Sequence, residues 1–217
     1  MVNRSPTLQT RASDTWLKAT WEEFVALADH SDYANGRFYY DQGYMRIEMS
    51  PLGSAHSQDN SIISTAIILF GIAKTIPIKE LSNASFRKTG IRECQPDLAF
   101  YIGAALRFPP RNNAPINLNE LEPPTLVVEV AASSLNDDLG AKRLLYERLG
   151  VQEYWVVNVQ ERKVIAFSVA EERSGQIQTS QVLPGLDISL VEEVLQRSQT
   201  EDDVAISRWL LATLSQS

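Results

Sequence analysis

Hydrophobic and polar positions alternate with a helical period near the start of the chain and with a strand period soon after. Thr20 and Glu23 frame a capping box, which predicts that a helix begins at this point. Residues 37–49 alternate as in a hairpin, with a turn at residues 41–43. Residues 57–74 are mostly apolar, and this pattern predicts a long, buried helix.

The central part of the chain predicts a strand–helix–strand unit. Residues 125–131 are a nearly continuous β-branched run, as in a strand covered on both faces. A helix over residues 136–149 ends at Gly150, and a second strand follows at residues 153–159. The connection is long enough for a parallel pair with a right-handed crossover. The other predicted elements are strands at residues 76–81, 84–88, 97–102, 163–169 and 176–183, a loop at residues 103–124, and helices at residues 190–197 and 204–214.

These elements predict a mixed α/β (α+β) fold, with helices on either side of one central mixed β-sheet. The chain has 217 residues, which is enough for one well-cored domain. We expect a loose N-terminal tail at residues 1–14 and a single domain over residues 15–217. Its core would lie at about residues 37–190, and its C-terminal helices at residues 190–215.

Composition and charge restrict the cellular setting. Cys94 is the single cysteine, so no internal disulfide can form, as suits a reducing cytoplasm. The longest apolar stretch, residues 62–73, is too short to span a bilayer, and the polar N-terminus lacks the apolar core of a signal peptide. We therefore expect a cytoplasmic protein with no membrane partner. The formal net charge of −7 is opposite in sign to that of proteins that coat duplex DNA.

Two charged residues occupy positions that the hydrophobic pattern assigns to the interior. Glu129 stands in the middle of the apolar strand, where a carboxylate is costly unless it is paired or bound to a metal. Lys142 shares the apolar face of the following helix with Leu139 and Leu145, so it points toward that strand. The two residues account for each other if they meet in one site.

Asp97 extends this site to two carboxylates. Pro96 is tolerated at a strand start and leaves Asp97 near the strand end. Carboxylates from neighbouring strands are hard oxygen ligands suited to Mg²⁺ or Mn²⁺. Such an ion could polarise a phosphate and activate water, while Lys142 orients that water or stabilises charge. The pattern is therefore consistent with phosphodiester hydrolysis, for which Asp97, Glu129 and Lys142 are the candidate catalytic residues.

This arrangement resembles the Uma2 family, which is abundant in cyanobacteria and belongs to the PD-(D/E)XK, or restriction-endonuclease-like, superfamily. The resemblance covers about residues 21–190. It implies a restriction-endonuclease-like core and a divalent-metal-dependent endonuclease. It is carried by Pro96-Asp97, by Glu129 in Val-Val-Glu-Val, by Asp138, Lys142 and Tyr146, by residues 150–155, and by residues 48–51 with His56.

The superfamily motif implies a role for each matching residue. Asp97 corresponds to the motif aspartate, Glu129 to the acidic residue of the second half, and the backbone carbonyl of Val130 to a further metal ligand. The motif lysine would stand at position 131, which is Ala131 here. Lys142 on the following helix matches the place to which this family has moved it.

The first hairpin departs from the family pattern. Members often carry a glutamate where Tyr39 stands, and Glu48 on the adjoining strand could substitute for it. His56, Asp138 and Tyr146 are further residues that could line the site. Asp138 could orient Lys142 across one helical turn, and Tyr146 could hydrogen-bond into the site or simply pack.

Each candidate also has a purely structural explanation. Glu129 and Lys142 could form a structural ion pair, and the residues alone support this as well as they support catalysis. Asp97 could be a strand-end residue. His56 is expected to be a capping or surface histidine, and Asp138 to favour the helix dipole. The combination of Asp97, Glu129 and Lys142 favours the metal site.

A nucleic-acid surface is suggested by basic residues next to the proposed site. Arg87, Lys88 and Arg92 precede the Asp97 strand and could hold phosphates, or they could form an ordinary solvated face. We expect a homodimer by analogy with nucleases that pair to cut both strands.

Three functions are consistent with these patterns. The first is an endonuclease that acts on DNA, which the family resemblance favours. The second is a weak or inactive nuclease fold that binds nucleic acid or protein. The third is a metal-dependent phosphodiesterase that acts on RNA or a small nucleotide. The acidic net charge favours the second and third.

Overall fold

The computed structural model describes residues 14–49, 52–104 and 107–215. Its strands are β1 (Leu17–Lys18), β2 (Arg37–Asp41), β3 (Tyr44–Glu48), β4 (Ile78–Ser82), β5 (Phe86–Lys88), β6 (Arg92–Cys94), β7 (Leu98–Ile102), β8 (Ile116–Asn117), β9 (Leu126–Ala131), β10 (Glu153–Asn158), β11 (Lys163–Ala170) and β12 (Arg173–Ile177). Its α-helices are α1 (Trp21–Ala28), α2 (Ser54–Lys74), α3 (Leu135–Asp137), α4 (Arg143–Leu149), α5 (Ile188–Arg197) and α6 (Asp203–Leu214).

The chain forms two compact units. Among the described residues, the first draws on residues 14–49, 85–95 and 114–120, and the second on residues 52–84, 96–104, 107–113 and 121–215. Among the described residues each unit contains one mixed sheet of six strands. The predicted mixed α/β class is therefore confirmed, although the strands divide between two sheets where one was expected. The predicted tail at residues 1–14 lies outside the described residues, apart from Asp14.

The first unit is built on a capped helix and a hairpin. The Thr20 hydroxyl accepts the Glu23 amide while the Glu23 carboxylate accepts the Thr20 amide, which confirms the predicted capping box. The β2–β3 hairpin turns through Gln42 and Gly43, both of which have positive φ. The sheet order is β1-β3-β2-β6-β5-β8. Aromatic residues of α1 and β2, among them Phe24 and Tyr40, fill its core.

The second unit carries the predicted strand–helix–strand motif. Strands β9 and β10 pair in parallel, with Glu129 opposite Val156, and the sheet order is β12-β11-β10-β9-β7-β4. Helices α2, α5 and α6 cover one face, where they pack on Val128 and Val130 of β9. Gly150 ends α4 with a φ of 90°, as predicted for a left-handed helix cap.

Helices α3 and α4 are joined by a π-helical turn at Asp138–Lys142. A regular α-helix was expected over this region. π-Helical turns are rare and are often found at functional sites. This one contains Lys142, so the backbone is irregular at the residue that the sequence analysis singled out.

The structure also differs from the predicted elements among the strands, where β1 and β6 were not expected. The strand expected at residues 176–183 is β12, which begins at Arg173 and ends at Ile177. The β11–β12 turn uses Glu171 and Glu172, both with positive φ. Such turns ordinarily use glycine or asparagine, so the sequence carries no turn signal here. The predicted loop also contains β8, which pairs in parallel with β5.

Candidate active site

Asp97 and Glu129 come from adjacent strands of the second unit. Strands β7 and β9 are antiparallel, with Leu98 opposite Val128, and Asp97 lies in the bend just before β7. The Asp97 carboxylate reaches β9, where it accepts the amide of Val130, the residue next to Glu129, so Asp97 and Glu129 lie close together. Both are almost fully buried, with 2% and 1% of their surface exposed. Two acids in this position repel each other unless positive charge lies nearby.

The Asp97 carboxylate is held by the backbone and approached by a histidine. Its Oδ2 accepts the Val130 amide at 2.7 Å. Its Oδ1 lies 3.2 Å from Nε2 of His56, which comes from the first turn of α2. His56 is only 4% exposed. The expectation of a capping or surface histidine is therefore wrong, because packing against Asp97 buries the ring.

The Glu129 carboxylate is met by two side chains from the opposite helix. The Tyr146 hydroxyl donates to Glu129 Oε1 at 2.6 Å. The Lys142 ammonium lies 3.9 Å from the same oxygen. All three side chains are buried, and Tyr146 also stacks on Tyr154 with ring centroids 4.8 Å apart. The glutamate is thus fixed in one orientation by its neighbours.

Asp138 is the nearest carboxylate to Lys142. Its Oδ1 lies 3.1 Å from the Lys142 ammonium, and its Oδ2 accepts the Ser134 hydroxyl at 2.5 Å. The lysine therefore lies between Asp138 and Glu129. We refer to His56, Asp97, Glu129, Asp138, Lys142 and Tyr146 as the buried charge cluster.

The buried charge cluster contains more negative than positive groups. Three carboxylates accompany one ammonium and one imidazole. An excess of buried negative charge is costly, and a bound cation would offset it. Oxygen ligands of this kind suit Mg²⁺ or Mn²⁺, so the donor set fits a hard divalent cation. Across the described ranges, no three His, Cys, Asp or Glu side chains are grouped closely enough to hold a metal ion by themselves. Water or substrate oxygens would therefore have to complete the coordination of the cation.

A second acid lies close to His56 and was missed by the sequence analysis. Asp59, one turn further along α2, is buried. Burial raises the pKa of its carboxyl, while the charges of His56 and Arg162 lower it. Asp59 stands in a helix without an apolar run around it, so no local pattern marked it as buried.

The residues expected from the first hairpin lie in the first unit. Tyr39 is fully buried, and its hydroxyl donates to the carbonyl of Gln95 at 2.9 Å. The Glu48 carboxylate accepts a hydrogen bond from the Arg46 guanidinium at 2.8 Å. Glu48 thus has a structural partner within its own unit, and its role as a substitute ligand stays a prediction. Ser50 and Pro51, which contribute to the family resemblance, lie outside the described residues.

Two of the three basic residues expected at a phosphate surface are engaged by acids. Arg87 is paired with both carboxylate oxygens of Glu93, and Arg92 donates to Asp41 at 2.7 Å. Arg92 is also buried. Burial raises the pKa of Glu93, and Arg87 acts in the opposite direction. Lys88 is exposed.

In the part of the chain that the structure describes, no helix has both the length and the apolar character required to cross a bilayer. Cys94 is a buried free thiol.

Comparison with known proteins agrees with this architecture. A crystal structure of a putative nuclease belonging to DUF820 from Anabaena variabilis ATCC 29413 superimposes with a TM-score of 0.53 and 19% sequence identity. The match covers 81% of this chain and 98% of that chain. At this identity the similarity establishes the fold. A comparison with curated proteins gives no match.

The sequence itself matches one family model. The match runs over residues 21–207, which include every residue of the buried charge cluster. The family is described as putative restriction endonuclease. The chain belongs to the Uma2 family.

Proposed function

We propose that this chain is a divalent-metal-dependent endonuclease that hydrolyses phosphodiester bonds of DNA. One observation carries the proposal: Lys142 lies 3.9 Å from Glu129, and Asp97 is held by the amide of Val130, the residue next to Glu129, with all three charged side chains buried. Family membership gives this cluster its chemical interpretation, because the family is described as an endonuclease. A structural ion pair alone would not require the second carboxylate on the neighbouring strand.

Asp97, Glu129 and the backbone carbonyl of Val130 would hold the cation. When bound, Mg²⁺ or Mn²⁺ supplies charge to polarise a phosphate oxygen and lowers the pKa of a coordinated water. The protein orients these ligands in advance. The Val130 amide fixes Asp97 Oδ2, and the Tyr146 hydroxyl fixes Glu129 Oε1. Such preorganisation lowers the cost of assembling the site when substrate arrives.

Lys142 would act on the phosphate or on the attacking water. Its ammonium lies 3.9 Å from Glu129, so it is held beside the ligand that would carry the cation. A lysine in this position can orient the water or stabilise the negative charge that develops on the phosphate oxygens. Asp138 keeps the ammonium in place at 3.1 Å.

Binding to DNA would depend on a small number of cationic groups together with the bound metal. Lys88 is exposed, whereas Arg87 and Arg92 are paired with acids, so we retain Lys88 as the phosphate contact of the three. The net charge of −7 opposes non-specific attraction to DNA. A homodimer in which each copy cuts one strand remains part of the proposal, by analogy with nucleases that pair in this way.

One observation favours a second function, which is binding of nucleic acid or protein without cleavage. Within the described residues no group of three or more candidate ligand side chains could hold a metal ion. A cation with only two carboxylate ligands is held less firmly than one with three. A chain with this fold could therefore have kept its shape while losing its activity.

Cleavage assays distinguish these functions. Supercoiled plasmid, single-stranded DNA and RNA are incubated with the chain in Mg²⁺, in Mn²⁺ and in chelator. We expect metal-dependent cutting of DNA that Asp97→Asn abolishes. Glu80→Gln is the matched control, because Glu80 lies in β4 of the same sheet, where its carboxylate accepts the hydroxyls of Ser64 and Ser82. Cutting that persists in chelator, or in Asp97→Asn, would refute the proposal.

A further inference from the structure

The π-helical turn at Asp138–Lys142 changes where Lys142 points. An α-helix has 3.6 residues per turn, and the wider π turn shifts the residues that follow it around the axis. Lys142 is the last residue of this turn and α4 begins at Arg143. The turn therefore sets the direction in which the ammonium meets Glu129. A π turn is less stable than an α turn, so something must hold it.

Asp138, at the start of the π turn, is held by three separate groups. Its Oδ1 lies 3.1 Å from the Lys142 ammonium, and its Oδ2 accepts the Ser134 hydroxyl at 2.5 Å. Its backbone carbonyl accepts the hydroxyl of Tyr154 at 2.9 Å. Tyr154 comes from β10, on the sheet beneath the helix, and is fully buried. One residue thus links the sheet, the π turn and the lysine.

The hydroxyl of Tyr154 is the contact that fastens the turn to the sheet. Its ring is stacked between Tyr146 and Phe167, so the hydroxyl has a fixed position. A buried hydroxyl costs free energy unless it is hydrogen-bonded, and here its partner is a backbone carbonyl of the irregular turn. The ring packing would be satisfied by phenylalanine. The bond to the turn therefore gives the hydroxyl a role beyond the packing of the ring.

We propose that Tyr154 and Ser134 are positioning residues that hold Asp138, and through it the π turn, so that the Lys142 ammonium is delivered to Glu129. Both residues hydrogen-bond to Asp138 and act on Lys142 through it. The consequence for catalysis rests on the proposed nuclease function, but the positioning of Lys142 does not. Loss of either hydroxyl should loosen the turn and leave the ring stack and the sheet intact.

The test compares Tyr154→Phe and Ser134→Ala with a matched control, Tyr101→Phe. Tyr101 is also buried in the second unit, and its hydroxyl also donates to a backbone carbonyl, that of Glu122 at 3.2 Å. The control removes the same type of hydrogen bond at a site away from the turn. Circular dichroism and urea unfolding first establish that each variant folds.

The first readout does not depend on activity. The metal-free chains are treated with an acetylating reagent, and mass spectrometry gives the acetylation rate of Lys142 relative to that of Lys79, which is exposed. We expect the ratio to rise about fivefold in Tyr154→Phe and in Ser134→Ala, the factor that corresponds to one lost hydrogen bond. The ratio should not change in Tyr101→Phe, because global stability is affected there without a change at the turn.

The second readout is steady-state cleavage of DNA. Both turn variants should lower kcat by about ten- to a hundred-fold, as for a misplaced catalytic group, with KM unchanged. An unchanged acetylation ratio in both variants, or an equal rise in Tyr101→Phe, would overturn the inference. If Tyr154→Phe does not fold, Ser134→Ala decides the question. If the native chain does not cut DNA, the nuclease proposal fails while the acetylation ratio still decides the positioning of Lys142.

Discussion

The substitution Glu129→Gln separates the chemical role of the buried charge cluster from its structural role. Glutamine has nearly the same shape as glutamate, but it carries no charge and is a poor ligand for a hard cation. The Tyr146 hydroxyl can still donate to the amide oxygen, at the position where it now meets Oε1 at 2.6 Å. The change therefore removes a charge while leaving the packing of the site in place.

Three contributions to the free energy of unfolding change together. At 3.9 Å, Lys142 and Glu129 attract each other by about 4 kcal/mol if the effective dielectric constant is about 20. The hydrogen bond from Tyr146 weakens by about 1 kcal/mol when its acceptor becomes neutral. Against these losses, the desolvation cost of the carboxylate, several kcal/mol, disappears together with its repulsion from Asp97. The contributions nearly cancel, so we expect a net change within about 2 kcal/mol.

Glu129→Gln is tolerated because Lys142, which loses one carboxylate partner, keeps another. Removing one partner of a buried ion pair ordinarily costs about 3–5 kcal/mol, because the other charge is left uncompensated. Here Lys142 keeps Asp138 at 3.1 Å. Lys142→Met, in contrast, leaves Asp138 and Glu129 without their shared ammonium and should cost that full amount in the metal-free chain.

Urea unfolding of the metal-free chains and plasmid cleavage with Mn²⁺ measure the two effects of Glu129→Gln. We expect a folded protein with no metal-dependent cleavage. A Glu129→Gln chain that still cuts DNA would refute the role of Glu129 as a metal ligand. If the Glu129→Gln chain is less stable than the Lys142→Met chain, the contributions to the free energy of unfolding do not cancel as calculated above.

Three further outcomes are expected. Lys142→Ala should lower kcat far more than it weakens Mn²⁺ binding measured by calorimetry, because the lysine acts on phosphate or water. Weaker Mn²⁺ binding with normal turnover at saturating metal would contradict this role. Burial raises the pKa of Asp59 above its ordinary value of 3.8, so the folded chain keeps a proton that the unfolded chain loses, and stability falls as the pH rises through this window. Asp59→Asn should therefore flatten the decline in stability that urea unfolding measures as the pH rises above this ordinary value, and it should stabilise the metal-free chain at neutral pH; an unchanged profile would contradict the buried carboxyl. Asp202 caps α6 by accepting the Val204 and Ala205 amides, so Asp202→Ala should lower the free energy of unfolding by about 1 kcal/mol, and an unchanged value would contradict the cap.

The sequence predicted the features that depend on local patterns. A charge within an apolar strand and a charge on an apolar helix face are visible without a structure, and Glu129 and Lys142 do lie 3.9 Å apart. The capping box at Thr20 and the parallel β9–β10 pair depend on short segments and were also predictable. Each of these features is predicted by a pattern within a short segment of the chain.

Features that depend on tertiary contacts could not be predicted. His56 lies in the first turn of α2. Its ring is buried because it contacts Asp97, which is distant in the sequence, and no local pattern predicts this contact. The π turn has no composition of its own, since its residues suit an α-helix as well. From the sequence, Tyr154 is an ordinary core residue of β10, and only the structure shows that its hydroxyl donates to the Asp138 carbonyl.

The pairing of the short strands could not be predicted from the sequence either. Strands β5, β6 and β8 contain three, three and two residues, too few to show an alternating pattern. The β11–β12 turn requires positive φ at Glu171 and Glu172, and glutamate gives no signal for such a conformation. The division of the strands between two sheets therefore became visible only in the structure.

The most direct test of a cation site at Asp97 and Glu129 is a calorimetric titration of the chain with Mn²⁺. The native chain is compared with Asp97→Asn, with Glu129→Gln and with the control Glu80→Gln, each alone and with a DNA oligonucleotide whose phosphates could complete the coordination. The account predicts that the native chain and Glu80→Gln bind the ion and that both site variants lose this binding. Binding retained in both site variants, or absent from the native chain even with the oligonucleotide, would contradict it.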